Sequence, residues 1–289
     1  MVLVVGDVID DILVRPKGPI RANTDVDSEI RVSPGGSAAN FACWMASLGE
    51  EVNFVGRVAE PDVMRHAENL KSFGVRPQLQ ADHQLPTGSI VVLVQGEERT
   101  FLTDRGANQN LDVALVQDDL FGRLVYLSGY SLLSLSDSIV KNLISRAHEL
   151  GAQVACDPGS AGFIEDFGVR RFFDALSGID ILLPNLEEGR LLSGEDRPEL
   201  ICSSLAERFE TVALTMGNQG CAVQHRDEFF RVAATEAEVI DPTGAGDAFA
   251  AAFLAAKLAG KNLEAAAAAG IRQGAIAVTL SGGRPTSSF

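Results

Sequence analysis

Short apolar runs with strand character alternate with helical spacing along most of this chain, and that alternation limits its fold more than any other feature. The opening Val2-Leu3-Val4-Val5 and the runs Val52–Val55, Leu124–Leu127, Gln153–Cys156, Ile179–Leu183 and Val212–Leu214 read as buried strands. Runs without a polar face belong in a largely parallel sheet covered by helices on both sides. Between them, apolar residues recur at helical spacing in Ala38–Leu48, closed by Gly49, in Ile139–Leu150, closed by Gly151, and in the alanine-rich segment after Leu263. The 289 residues, 46% of them hydrophobic, supply a core for one domain, and no repeat or linker divides them. The expected fold class is therefore α/β, in three layers, with residues 1–289 forming a single domain.

In open sheets of this kind ligands bind beyond the carboxyl ends of the strands. Ser128, Asp157, Asn185 and Thr215 stand at or just past such ends and are expected to converge on one crevice. Two stretches break the alternation: Ile12–Val14 with Asp27–Val32, and Gly88–Val94 with Arg99–Thr103, the latter pair joined through Gln95-Gly96-Glu97-Glu98 as a hairpin loop. These pieces, from about 12–33 and 87–105, are expected to form a small β lid over the crevice, where it would exclude water.

A formal net charge of -15 argues against nucleic acid or an anionic membrane surface as partner. No apolar run approaches the roughly 18 residues of a membrane span. The first residues lack the basic and small-residue pattern of a signal peptide, so a cytoplasmic location is expected. Cys43, Cys156, Cys202 and Cys221 form no Cys-x-x-Cys pair and read as buried free thiols. His66, His83, His148 and His225 lack metal-ligand spacing and are expected at surface or boundary positions.

The stretch Asp241-Pro242-Thr243-Gly244-Ala245-Gly246-Asp247 carries the most chemistry. It sets a glycine-bracketed turn at the start of an alanine-rich helix, where free backbone N–H groups and the helix dipole can hold an anion. Asp247 then stands beside that anion as a candidate general base. An ordinary helix start explains Pro242 and one glycine, but not two glycines bracketing a small residue directly before an acid. Upstream, Gly35, Gly36 and Ser37 allow close backbone approach to a ligand, and Asn40 offers a donor and acceptors suited to vicinal hydroxyls. Two acids, Asp10 and Asp11, follow the first strand, and no Gly-x-Gly-x-x-Gly is present there to suggest a dinucleotide.

In this order, these motifs resemble the PfkB, or ribokinase-like, family of carbohydrate and nucleoside kinases, along nearly the whole chain. The resemblance implies the ribokinase-like αβα fold with its lid, and ATP and Mg²⁺ as cofactors. It makes Asp247 the base that deprotonates the attacking hydroxyl, and the amides of Gly244, Ala245 and Gly246 the anion hole. Gly35, Gly36, Ser37 and Asn40 correspond to its Gly-Gly-x-x-x-Asn sugar grip, with Asp11 as the sugar-binding acid and Asp10 as the runner-up. Asn185-Leu186-Glu187-Glu188 is similar to its Asn-x-x-Glu motif, which puts Glu188 on Mg²⁺ through water and Asn185 near phosphate. Thr215, Gly217 and Gly220 match a Thr-x-Gly-x-x-Gly nucleotide loop, and Thr243 is assigned to the nucleotide as well. Ala277–Pro285 is similar to a shortened adenine and cation loop, which leaves open a K⁺ site at Asp241.

Other positions depart from the family pattern. The Gly-x-Asp-x-x-Gly of many relatives is absent at Gly56–Asp62, and Ser128-Gly129-Tyr130 stands where ribokinases carry an acid. Arg105 is expected to reach a substrate or phosphate oxygen, and Tyr130 to stack on a flat ring. Sugar and nucleoside acceptors, pseudouridine among the latter, therefore both stay open, and a homodimer joined through the lid is expected. A P-loop kinase is disfavoured because Gly260-Lys261 is followed by Asn262. A non-catalytic sugar-binding regulator would keep Asp11 and Asn40 but has no need of Gly244, Gly246 and Asp247.

Overall fold

The chain contributes, in order, β1 (Val2–Val5), β2 (Ile9–Pro16), β3 (Ser28–Gly35), β4 (Val52–Ala59), β5 (Arg76–Asp82), β6 (Gly88–Gln95), β7 (Glu98–Asp104), β8 (Leu124–Ser128), β9 (Gln153–Asp157), β10 (Ile181–Leu182), β11 (Thr211–Thr215), β12 (Cys221–His225) and β13 (Glu228–Val232). The computed structural model describes residues 1–96, 98–132 and 135–286. Glu97, in the expected hairpin loop, lies outside the described residues.

Nine strands form one sheet in the order β13-β12-β11-β10-β9-β8-β1-β4-β5. All neighbours from β5 to β11 run parallel, and β12 and β13 complete the edge antiparallel. β1 is wholly apolar because it sits in the middle, covered on both faces. Val2 and Val4 enter the core on one face, Leu3 and Val5 the core on the other, which is the two-residue period of a strand between helical layers. The first core holds the helices Ser37–Ser47, Ala245–Leu258 and Leu263–Ala277, with Phe41 of the first stacked on Tyr126 of β8 at 3.6 Å between ring centroids. The three-layer α/β expectation is met.

β5, β12 and β13 have no counterpart among the strands read from the sequence. β5 and β13 are the edge strands, where one face is wet: Arg76-Pro77-Gln78-Leu79-Gln80 and Glu228-Phe229-Phe230-Arg231 carry too many polar residues to read as buried runs, while β12 between β11 and β13 is buried but short. Conversely, the expected strand Ile179–Leu183 keeps only Ile181 and Leu182 in the ladder, although the amides of Asp180 and Leu183 still donate to β9 carbonyls.

The chain order reverses at β1, running to β4 and β5 on one side and to β8 through β11 on the other. Such a switch point opens a crevice beyond the carboxyl ends of the strands. Over it lies a second sheet, β3-β2-β6-β7, the expected lid. Its register places Asp11, Ile90 and Thr103 in one cross-strand row and Val92 and Phe101 in the next. All five line a cavity beneath the lid. Residues of the opposite phase, Ile12, Val14, Ile30, Val32 and Leu102, face outward, and Ile30, Val32 and Leu102 are well exposed.

All four cysteines are buried and free. His66 departs from its expected boundary position: it is 1% exposed, and burial lowers its pKa to about 4, so the ring is held neutral. Among the described residues no helix is long and apolar enough to cross a membrane.

Candidate active site

The helix Ala245–Leu258 begins at Gly244, which is left-handed at φ 77°. A side chain there would run into the backbone of Gly283, so the turn is open to glycine alone. The amide of Ala245 donates to the Pro242 carbonyl at 3.3 Å, whereas no backbone acceptor engages those of Gly244, Gly246 and Asp247 among the described residues. The expected anion hole is therefore corrected at one position: Gly244, Gly246 and Asp247 present free amides, and Ala245 does not. A Cβ on Gly246 would meet nothing within 4 Å, so open space stands where the anion would sit.

Asp247 lies in the first turn of that helix and is 9% exposed. Ser37 Oγ donates to its Oδ1 at 2.7 Å and Asn40 Nδ2 to its Oδ2 at 3.3 Å, across more than two hundred residues of sequence. These two side chains come from the helix Ser37–Ser47, which starts at Gly36 with φ 99°, and a side chain at Gly36 would come within 2.6 Å of the Asp7 carbonyl oxygen. Asp7 in turn accepts from the amides of Ser37 at 2.7 Å and Ala38 at 3.3 Å, an anion at a helix N-terminus. The two glycine motifs thus meet on one carboxylate. Burial, reinforced by the negative charge of Asp157, pushes the Asp247 carboxyl well above its ordinary value of 3.8, while the Ser37 and Asn40 bonds oppose the shift.

Asp11 and Asp10 separate as strand alternation demands. Asp10 faces away and pairs with Arg65 at 2.7 Å and 2.8 Å, which removes it as an alternative ligand. Asp11 faces the cavity, and no hydrogen bond engages its carboxyl among the described residues. Burial pushes it up to about 7 against the lowering effect of Arg284. Gly35 does not line the cavity; a Cβ there would overlap the Asp11 carboxyl, so its role is to leave room for that group. Arg284, which the sequence reading passed over, donates to Asn40 Oδ1 at 3.1 Å and to the Gly35 carbonyl at 2.9 Å.

On the far side, Asn185 and Glu188 form a capping box for the helix Leu186–Ser193, with reciprocal bonds of 2.9 Å between each side chain and the other's backbone amide. Glu188 is 1% exposed, and burial raises its carboxyl to about 7. Asp157 beside it is also raised, by burial first and by Glu188 next. Both Glu188 oxygens accept from Asn185, so with Asp157 beside it the carboxylate fits a divalent ion through that ion's own water rather than by direct ligation. No cluster of three or more ligating side chains occurs among the described residues.

Three cavities connect these groups in a line. One of about 1100 Å³ is bounded by Thr215, Gly217 and Gly220, by Gly246, and by Gly270 and Gly274 of the helix Leu263–Ala277. A second, of about 580 Å³, lies under the lid with Asp11, Ser37, Asn40, Arg105, Tyr130 and Asp247 on its walls. Between them a passage of about 200 Å³ shares Thr215, Gly246 and Phe249 with the first and Ser37, Tyr130 and Asp247 with the second; Asp157, Asn185 and Glu188 line it. Of the four strand-end residues expected to converge, Ser128 alone is shut inside, its hydroxyl unpartnered.

Several sequence assignments move. Thr243, expected at the nucleotide, lines the lid cavity, and its hydroxyl donates to Asp241 Oδ1 at 2.7 Å. Asp241, considered for K⁺, has its oxygens taken by Arg99, Thr243 and the Gly282 amide. Of the Ala277–Pro285 loop only Val278 reaches the large cavity; the segment 233–239 lines it instead. Arg105 stacks its guanidinium 4.5 Å over Phe163, and Tyr130 meets that same ring edge-on at 5.2 Å. Phe163 and Asp166, which complete this end of the cavity, follow Asp157 by a few residues and carry no motif that could have flagged them.

Comparison with known proteins agrees with this fold. The family description "pfkB family carbohydrate kinase" matches residues 1–288. The bifunctional protein HldE of Coxiella burnetii is 31% identical over 283 residues, which are 91% of this chain; the chain spans about half, 55%, of that relative's length. The crystal structure of adenosine kinase from Sinorhizobium meliloti superimposes with a TM-score of 0.88 at 26% identity, covering 99% of this chain and 95% of that one. A putative ribokinase II from E. coli, solved in complex with ATP and Mg²⁺, gives 0.84 at 25% identity, covering 99% and 95%. The fold is thus the ribokinase fold, the family match runs from end to end, and the chain belongs to the pfkB family of carbohydrate kinases, which are phosphotransferases.

Proposed function

We propose that the chain transfers the γ-phosphoryl group of ATP to a hydroxyl of a small sugar or sugar-containing acceptor. The observation that carries this reading is the line of three cavities with Asp247 where the passage meets the lid cavity. ATP would occupy the large cavity, with its phosphates running past Gly246 into the passage; the E. coli relative solved with ATP and Mg²⁺ supports ATP as the donor. The free amides of Gly244, Gly246 and Asp247 face the charge that develops on the transferring group. Glu188, with Asp157 beside it, would hold Mg²⁺ through water, and the ion would supply charge neutralisation at the phosphate oxygens. Asp247, oriented by Ser37 and Asn40, takes the proton of the attacking hydroxyl.

Acceptor hydroxyls meet Asp11 and Asn40 at one end of the lid cavity. At the other, Arg105, Phe163, Tyr130 and Phe101 form an aromatic, partly cationic wall. That wall favours a second reading, a nucleoside acceptor whose base stacks there. Coupled ADP release over pentoses, hexoses, sugar acids and nucleosides with Mg·ATP tests both readings. Turnover of none of these, with no binding of a non-hydrolysable ATP analogue, removes the kinase assignment and leaves a sugar-binding regulator. With the acceptor in hand, Asp11→Ala is expected to raise its KM by roughly 10- to 100-fold, the loss of a charged hydrogen bond, while ATP binding measured by calorimetry stays unchanged. Collapse of ATP binding with acceptor affinity retained reverses the two ends of the crevice.

The outer lid face, with Ile30 at 61%, Val32 at 64% and Leu102 at 58% exposure, is covered in this reading by a second copy of the chain in the cytoplasm, where ATP is available. Light scattering is expected to give twice the monomer mass and Val32→Asp to give the monomer; a monomeric wild type ends this part of the proposal.

A further inference from the structure

Arg99 lies on the inner face of lid strand β7, in phase with Phe101 and Thr103, yet it does not itself line the acceptor cavity. It reaches instead to the turn before the anion hole, donating from Nη1 to Asp241 Oδ1 at 2.8 Å and to Thr243 Oγ1 at 3.2 Å. The pair is partly buried, with the side chains 21% and 9% exposed. Asp241 Oδ1 also accepts from the Thr243 amide and hydroxyl, and Oδ2 from the Gly282 amide at 3.1 Å. Burial alone would push this carboxyl up; Arg99, with Thr243 and Gly282, brings it down to about 2.

A K⁺ ion does not fit here. Such an ion replaces its hydration shell with several protein oxygens, and both carboxylate oxygens of Asp241 are already engaged. The neighbouring Val278 carbonyl accepts from the amides of Ile240 at 2.8 Å and Asp241 at 3.1 Å. The positive charge is present all the same, on a side chain, and it is tied to the lid.

We infer that the Arg99 guanidinium is a built-in monovalent cation that joins the closed lid to the anion-hole turn and makes the enzyme independent of K⁺. Arg99 is thereby a positioning residue. Asp241 and Thr243 lead directly into Gly244, and Gly244 packs against Gly283, whose carbonyl accepts from Trp44 Nε1 at 2.9 Å. Holding Asp241 fixes both turns on which the free amides of Gly244 and Gly246 depend. It also makes anion-hole geometry conditional on the lid being shut, so the amides are aligned when the acceptor is enclosed.

The inference rests on the kinase reading for its effect on turnover, so the test includes an arm that needs neither ATP nor acceptor. Trp44 is the single tryptophan of the chain, 3% exposed, and it bonds the Gly283 turn. Its emission reports on that turn directly. Wild type, Arg99→Ala and Arg99→Lys are compared in potassium and tetramethylammonium chloride at matched ionic strength, with and without dilute guanidinium.

Wild-type turnover is expected to agree within about twofold between the two salts, while Arg99→Ala loses on the order of 10- to 100-fold in kcat with a smaller change in acceptor KM. Guanidinium or K⁺ should restore part of that rate and reverse a red shift of Trp44 emission in the unliganded variant. Arg99→Lys, which keeps the charge, should retain most of the rate and cover the case in which Arg99→Ala fails to fold. K⁺ stimulation of wild type by about tenfold or more, or wild-type rate and emission in Arg99→Ala, overturns the inference; so does a loss in Arg99→Lys as deep as in Arg99→Ala. Normal emission behaviour in a chain that forms no ADP with any acceptor removes the kinase reading and leaves the Arg99–Asp241 clamp standing.

Discussion

Asp247→Asn is expected to lower kcat by roughly 10²- to 10⁴-fold, the usual contribution of a general base, while leaving acceptor and ATP affinity close to wild type. The surrounding bonds are what make this a clean experiment. Ser37 Oγ and Asn40 Nδ2 hold the two carboxylate oxygens separately. An amide can turn its carbonyl toward Asn40 and its NH₂ toward Ser37, whose hydroxyl accepts as readily as it donates. The variant therefore keeps its packing and loses only the ability to take a proton. The pH profile gives the same residue an independent signature. A base must be ionised to act, and burial with the nearby Asp157 charge raises the Asp247 carboxyl above 3.8. The rate should fall as pH drops through the raised value, so the acid limb of kcat lies above the ordinary carboxylate range, and Asp247→Asn removes the part of it that does not belong to Asp11 and Glu188. Near-wild-type turnover, or an acid limb unchanged by the substitution, ends the assignment of Asp247 as base.

What could be read in advance follows from how local each signal is. Strand-turn-helix punctuation made Gly244, Gly246 and Asp247 legible, because the helix start, the glycine turn and the acid are contiguous in sequence. The same holds for Asn185 and Glu188, where one helical turn carries both the cap and the buried carboxylate. Alternation along β2 also separates Asp11 from Asp10, but only once the strand is known to face a cavity. Arg99, Arg284 and Asp7 were not legible as site residues. Each acts through a partner more than a hundred residues away or through a backbone group, and an isolated arginine in a strand or loop looks the same whether it meets solvent or Asp241. Thr243 is hard to place for a related reason: Pro242 beside it lines the large cavity, while its own hydroxyl is held by Asp241 and by Arg99 from the lid, far away in sequence. The polar edge strands β5 and β13 escape because period and hydrophobicity mark burial, and they are half wet.

Gly246→Val is expected to reduce turnover by roughly 10²- to 10³-fold, comparable to removing a donor from an oxyanion hole, with the fold intact. A Cβ at this position meets no neighbour within 4 Å outside its own helix turn, so the folded chain has room for it. Valine is also no worse than glycine inside a helix, which leaves the melting temperature near wild type. The room is the passage between the two large cavities. Its methyl groups would stand where the transferring phosphoryl group must lie and would cover the free amide beside them. Acceptor affinity should be little affected, since Asp11 and Asn40 are untouched. Gly244 supplies the contrast: at φ 77°, with the Gly283 backbone where a Cβ would stand, a valine there should lower stability along with activity. Measuring melting temperature, acceptor binding and kcat on both variants separates a lost anion site from a damaged fold. A Gly246→Val protein that melts normally and turns over normally would show that the phosphates take another path through the crevice.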